Sequence, residues 1–342
     1  MAAFFRLPFS FPPTGATLLA LCLLYLLPGA LGHDPWKPED AIHFGVTYAL
    51  LTGGDWLVPH LAGQLYLDNP PLYYWVAALC AKLFGGLLPL HDAIRLASVL
   101  FGVILFAAIG GTAHRLFGDK AGSTATLILL GCLGLIVHLH DTQPQVALLA
   151  AIATAYYGLA LLPQKPLTGG VITGVAIGVG FLSDGLSALA FTLPLLLFLP
   201  VFSAHWRGRN GLIGLLVALP VATVICASWP LLLAKMQPEV FDLWWGRERS
   251  HFRLLTNQGQ SLLGFLELLS WFAWPALPLA LWALWYERRH IMRPGMVLGL
   301  LTMLVTAAVV IATREARNLA VLPLLLPLVL LAVPAATSLR RD

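Results

Sequence analysis

Stretches such as RLASVLFGVILFAAIGGTA (95–113) recur along the chain, each close to twenty residues with almost nothing polar. A helix of about 20 apolar residues matches the hydrocarbon thickness of a bilayer and satisfies its own backbone N–H and C=O groups there. A transmembrane strand would alternate polar and apolar residues, and these stretches do not. Only 11% of the 342 residues are charged and 59% are hydrophobic, against about a quarter charged in an average soluble domain. The sequence therefore predicts an all-α polytopic membrane protein. Ten spans are expected, at 15–32, 91–113, 119–138, 144–162, 168–183, 186–203, 211–235, 262–286, 295–313 and 317–337. Segment 70–86 is short and aromatic, and is expected to lie as an amphipathic helix on the membrane surface. Residues 16–32 also fit a signal peptide ending at PGALG. An uncleaved first helix is the reading adopted, because it tethers the polar segment behind it.

Loop charges orient these spans. With the N-terminus in the cytoplasm, the inner side holds HRLFGDK (114–120), Lys165, HWRGR (205–209), YERRHIMR (286–293) and LRR (339–341). With Arg6, that side has eleven Lys/Arg against three acids, and the outer side nine against thirteen, as the positive-inside rule requires. Counting 70–86 as a span would invert every later loop. Both termini are thus expected in the cytoplasm, with two long loops outside, 33–90 and 236–261. The whole chain, 1–342, reads as one membrane module with no soluble domain after the last span. The formal charge of +4 comes from basic residues scattered at helix ends, which excludes a nucleic-acid face. Cys22, Cys80, Cys132 and Cys226 lie in apolar segments without zinc spacing. Gly170, Gly174 and Gly178 recur every fourth residue, the pattern of close helix packing rather than of a phosphate loop.

The chemistry-bearing residues gather on the outer side. Glu39 and Asp40 are adjacent, so a regular element points them apart; one of them can serve as general base. They equally fit the first turn of a helix, where acids are favourable. In WWGRERSHFR (244–253), Arg247, Arg249, Arg253 and His251 follow Trp244 and Trp245. Arginines bind phosphate by paired hydrogen bonds, and the same segment fits an ordinary interfacial loop. Arg314 and Arg317 lie in a tight outer turn between apolar segments, where a lipid phosphate would satisfy both charges. His138, His140 and Asp141 are candidate metal ligands, the two histidines sharing a face only if extended.

The segment GGDWLVPHLAGQLYLDNPPLYYWVAALCAKLFG (53–85), preceded by PED (38–40) and followed by HDAIRLAS (91–98), resembles the polyprenyl-phosphate-sugar glycosyltransferases of the GT-C superfamily. More narrowly, it is similar to the aminoarabinose transferases acting on lipid A and the related protein mannosyltransferases. The match is dense over 36–100 and continues through HRLFG (114–118), FLSDG (181–185) and ARNLAVLPLLLPLVLLA (316–332). The resemblance implies a GT-C-like bundle of about ten transmembrane helices with outward-facing surface helices in the first loop. It implies transfer of a sugar from a polyprenyl-phosphate donor to an acceptor at the outer face of a bacterial inner membrane. That acceptor would be lipid A, another envelope glycan or a protein, with membrane lipids as surroundings. The rival reading keeps the scaffold as a non-catalytic prenyl-lipid binding or transport protein.

Carried over by position, Glu39 occupies the site of the family's catalytic aspartate and Asp40 the adjoining glutamate. Asp55, Trp56 and Pro59 keep its Gly-Asp-Trp turn, and Asp68, Pro70, Pro71, Tyr73, Tyr74 and Trp75 its second motif. The substrate-binding candidates are His43, Asp55, His60, Asp68, Asn69, Tyr73, Tyr74, Arg247, Arg249, Arg253, Arg314 and Arg317. A divalent metal ion is the one cofactor implied, with Glu39, Asp141 and Gln145 as its ligands. The sequence departs from the family at Glu39, one methylene longer than aspartate, and at His43, where tyrosine is common. Asn69 and Asp184 replace lysines, and Gln145 replaces an acid.

Overall fold

The computed structural model describes residues 15–251, 262–312 and 319–338. It is helical almost throughout. α1 (Gly15–Ala30) is followed by α2 (Pro38–Leu51), a hairpin of β1 (His60–Leu61) and β2 (Gln64–Leu65), and α3 (Leu72–Phe84). Then come α4 (Leu90–Phe117), α5 (Ala121–Leu130), α6 (Leu133–His138), α7 (Pro144–Leu161), α8 (Pro166–Asp184), α9 (Leu186–Phe202) and α10 (Arg209–Met236). α11 (Pro238–His251), α12 (Leu262–Phe272), α13 (Ala276–Tyr286), α14 (Pro294–Ala312), a 3₁₀ turn (Leu319–Leu324) and α15 (Leu325–Ser338) complete the order.

α7 is buried nearly all round and apolar on every side, as a central helix must be. It packs between α4 and α8, and α8 in turn packs on α10. The glycine stripe makes the α8–α10 contact. A Cβ on Gly174 would lie 2.6 Å from the Ala218 carbonyl oxygen, and one on Gly178 2.5 Å from Ile225 Cβ.

Each of the ten apolar segments contains helix, but five helices among the described residues are single rods long and apolar enough to cross a bilayer. α12 and α13, from Phe265, pass together as a sixth, bent by 92°. The expected span 119–138 is likewise two helices, parted at Gly131–Cys132. The two breaks abut. The Leu133 N–H donates to the Trp274 carbonyl at 3.3 Å, and a Cβ on Gly131 would sit 3.2 Å from Pro275. Backbone freed inside an apolar layer needs such protein partners.

Among the described residues the hairpin is the one pair of strands. Ala62 and Gly63 both have positive φ, 51° and 79°, the condition for a two-residue loop between paired strands. It sits, with α2 and α3, in the segment between α1 and α4.

Candidate active site

Helix α2 separates the adjacent acids. Pro38 is its first residue and Lys37 its N-cap, so Glu39 and Asp40 fall in the first turn, where the helix dipole favours negative charge. Asp40 turns inward and is fully buried. Its Oδ2 accepts Arg95 Nη2 at 2.7 Å, and its Oδ1 accepts the Thr142 backbone N–H at 2.7 Å. Burial alone would raise this carboxyl, but Arg95 and the Thr142 N–H outweigh it and hold the group below the usual carboxylate range. Arg95, on α4, is itself fully buried and also donates to the His33 carbonyl. Asp92, one turn earlier, caps the end of α1 by accepting the Gly32 N–H.

The turn 139–143 is stitched beneath α2 and α3. Lys37 Nζ lies 2.9 Å from Asp141 Oδ2 and 2.8 Å from the Val137 carbonyl. Ser98 donates to the Asp141 carbonyl at 2.7 Å, which leaves its oxygen to accept the Tyr73 hydroxyl, also at 2.7 Å. Tyr73 accepts the Gln143 N–H at 2.9 Å. Tyr73 is thereby a framework residue between α3, α4 and this turn. Burial holds the Asp141 carboxyl above its usual range even with Lys37 bonded to it, and the charge on Asp40 adds to the rise.

Glu39 points the other way, with its side chain 51% exposed. Its neighbour is His43, one turn on, whose Nε2 lies 3.8 Å away. Burial pushes His43 down to about 4 despite the attraction of Asp40, so the ring is neutral at pH 7 and Glu39 gains no ion pair from it. His43 Nδ1 meets the Tyr74 hydroxyl at 2.9 Å. When Tyr74 donates there, Nε2 carries the hydrogen and directs it toward Glu39.

Around Tyr66, missed in the sequence reading, four of the candidates gather: His43, Tyr74, Asp68 and Arg247. Its ring packs edge-on against His43 and Tyr74. Burial raises its hydroxyl above the usual range; Asp68 and Glu39 add to the rise, while a bond to Tyr74 and the charge of Arg247 oppose it. Arg247 and Asp68 form an ion pair that joins α11 to the first loop, both about half exposed. Asn69 is half-buried beside Asp68. Arg249 lies over the Trp245 ring, 5.7 Å from its centroid. Arg253, Arg314 and Arg317 lie outside the described residues.

Beneath α11 opens an apolar cavity of about 410 Å³ between α8, α9 and α10, lined by Phe181, Leu189, Ala222, Phe241, Trp244 and Trp245 among others. Arg247 is three residues beyond Trp244 and so shares its side of α11. Arg247 itself is half exposed and stands outside the cavity lining, while Glu248 beside it is buried and accepts the Leu186 N–H.

Asp55 and His60 are engaged elsewhere. Asp55 Oδ1 accepts the Leu57 N–H at 2.7 Å and its Oδ2 accepts Gln237 Nε2 at 2.6 Å. Trp75 and Trp229 donate to the Trp56 and Leu57 carbonyls. The Gly-Asp-Trp turn thus clamps the first loop to the end of α10. His60 Nδ1 bonds the Val58 carbonyl at 2.8 Å within β1's own approach.

The metal candidates scatter. His140 turns to the Tyr25 carbonyl of α1, and His138 packs on Phe272 of α12. Gln145 is buried in the first turn of α7. Among the described residues no three His, Cys, Asp or Glu side chains gather as a metal site. Asp141 is bonded to Lys37, and both Asp40 oxygens are taken. This donor set does not fit a divalent ion.

Known proteins resemble this chain in sequence and in fold. The family described as dolichyl-phosphate-mannose-protein mannosyltransferase matches residues 68–229. An undecaprenyl phosphate-alpha-4-amino-4-deoxy-L-arabinose arabinosyl transferase from Pseudomonas paraeruginosa is 30% identical, over 92% of this chain and 58% of its own length. The crystal structure of ArnT from Cupriavidus metallidurans bound to undecaprenyl phosphate matches with a TM-score of 0.81 at 22% identity, covering 94% of this chain and 60% of that one. The chain carries the GT-C membrane fold and resembles the aminoarabinose transferases. The Archaeoglobus fulgidus oligosaccharyltransferase in the apo form shares the fold more distantly, with a TM-score of 0.54 at 12% identity over 95% of this chain and 50% of that one. The chain spans 58% of the length of the Pseudomonas relative.

Arg95 was quoted in the sequence motifs without a role, and Lys37 was not singled out. The available signal for Arg95 was a lone arginine opening an otherwise apolar span, which demands a buried partner.

Proposed function

We propose that this chain is the membrane module of a glycosyltransferase that takes its sugar from a polyprenyl-phosphate donor at the outer face of a bacterial inner membrane. The observation that carries the reading is geometric: Arg247 of α11 pairs with Asp68, two residues beyond Tyr66, whose ring packs on His43, itself 3.8 Å from the half-exposed Glu39. A carboxylate and a cation facing one chamber are what the transfer needs.

In the reaction, the acceptor oxygen bonds to the sugar's anomeric carbon as the bond from that carbon to phosphate breaks. The phosphate leaves with the bonding electrons, and Glu39 takes the acceptor proton. Arg247 and Arg249 are the described cations for the leaving phosphate, and the cavity beneath α11 holds the first prenyl units. Asp40 is the anchor that fixes the first turn of α2, and with it Glu39. The acceptor is an envelope glycolipid, glycan or protein with a free hydroxyl.

The test is a strain lacking this protein, with its envelope glycans read by mass spectrometry before and after the wild-type chain is restored. The expected result is a single sugar mass gained by one species. Should no glycan change mass while the purified protein carries prenyl phosphate, the chain is a lipid-binding protein on a transferase scaffold.

A further inference from the structure

The resemblance to the polyprenyl-phosphate-sugar transferases implies a divalent ion near the acids of this site, and the residues here are arranged against one. Lys37 is the N-cap of α2, in extended backbone with φ −89° and ψ 148°, which sends its side chain back to the 137–141 turn. Its ammonium makes two short bonds there, to Asp141 Oδ2 at 2.9 Å and the Val137 carbonyl at 2.8 Å. The Trp36 ring lies against it, 5.0 Å from centroid to Nζ. Asp141 is almost fully buried, and Lys37 is three-quarters covered. The neighbouring carboxylate, Asp40, has both oxygens committed to Arg95 and the Thr142 N–H. A hard divalent ion such as Mg²⁺ or Ca²⁺ takes six or more oxygen ligands, several of them carboxylate or water. Reaching Asp141 Oδ2 would require evicting the ammonium.

We infer that Lys37 supplies, at Asp141, the positive charge that a divalent cation would otherwise bring, so that this chain holds its acid cluster together with its own side chains. The consequence for the site is positional. Lys37 pins the start of α2 to the 137–141 turn, and Glu39 lies two residues along. This rests on the reading of the site as a transferase, but its test does not depend on turnover.

The experiment is Mn²⁺ titration followed by electron paramagnetic resonance, on the full chain purified in detergent, with Lys37→Met keeping the stem and removing the charge. The expected result is no saturable site in the wild type. One site per chain should appear in Lys37→Met, and Asp141→Asn added to that variant should remove it. A stoichiometric wild-type site lost in Asp141→Asn alone overturns the inference, because the metal then displaces the lysine; this arm stands even if Lys37→Met fails to fold. Absence of a site from a folded Lys37→Met also overturns it, leaving Lys37 an ordinary ion-pair partner. Glycan transfer measured on the same wild-type sample separates this outcome from failure of the functional reading.

Discussion

Replacing Arg95 by Met should be among the most damaging single changes in the protein. Arg95 and Asp40 are both fully buried, joined at 2.7 Å. Removing one member of such a pair leaves an uncompensated charge and costs about 3–5 kcal/mol. Replacing both by apolar residues of similar size is often neutral. Arg95→Met with Asp40→Leu should therefore recover most of the loss, short of the bonds to His33 and Thr142. Denaturant unfolding in a fixed detergent, run as a double-mutant cycle, gives the coupling. The pH dependence supplies an independent sign. In the wild type the folded pKa of Asp40 is depressed, so its contribution is present above the unfolded value of about 3.9 and is lost as pH falls through the folded pKa. Without Arg95, burial dominates and the folded pKa rises above the unfolded one. The variant is then penalised at neutral pH and regains stability as pH falls through that raised pKa. A cost under about 1 kcal/mol, a double variant no better than the single, or a variant that loses stability on mild acidification would each refute the reasoning.

Two further substitutions separate lipid binding from architecture. Arg247→Ala breaks a half-exposed pair with Asp68, so stability should change by less than about 1 kcal/mol. Loss of a charged hydrogen bond, worth about 1.5–3 kcal/mol, should weaken binding of a fluorescent polyprenyl phosphate by roughly 10- to 100-fold; unchanged affinity would remove Arg247 from the phosphate site. Asp55→Ala loses the bonds to Leu57 and Gln237 and should cost about 1–3 kcal/mol in denaturant unfolding, with prenyl-phosphate affinity intact. Lost affinity at full stability would return Asp55 to the substrate site.

What the sequence revealed follows the range of the physics involved. Apolar runs gave the helical segments, because span length and hydropathy are local. The four-residue spacing of Gly170, Gly174 and Gly178 announced the tight α8 face. That segment 70–86 holds a short helix, α3, was legible from its length and aromatic content. The breaks at 131–132 and 273–275 were not, since hydropathy runs continuously across them and their partners are each other. The hairpin at 60–65 was hidden because its strands are two residues long, too short for alternation to show. In the site, adjacency of Glu39 and Asp40 predicted that they diverge, but not which one turns inward. That choice belongs to Arg95, 55 residues away, and to the Thr142 backbone, 102 residues away. The convergence of Arg247 on Asp68 likewise depends on how α11 folds back over the first loop.

The central claim is the division of labour between these two acids: Glu39 reacts and Asp40 anchors. It is tested most directly by sugar-transfer rates of purified Glu39→Gln and Asp40→Asn, each normalised to folded protein and measured with saturating polyprenyl-phosphate sugar. The account predicts that Glu39→Gln unfolds like the wild type and loses about 10²- to 10⁴-fold in rate, the usual contribution of a general base. Asp40→Asn should instead lose stability, while the fraction still folded keeps turning over. Near-normal transfer by Glu39→Gln, with a folded Asp40→Asn inactive, would contradict it and move the base to the buried acid.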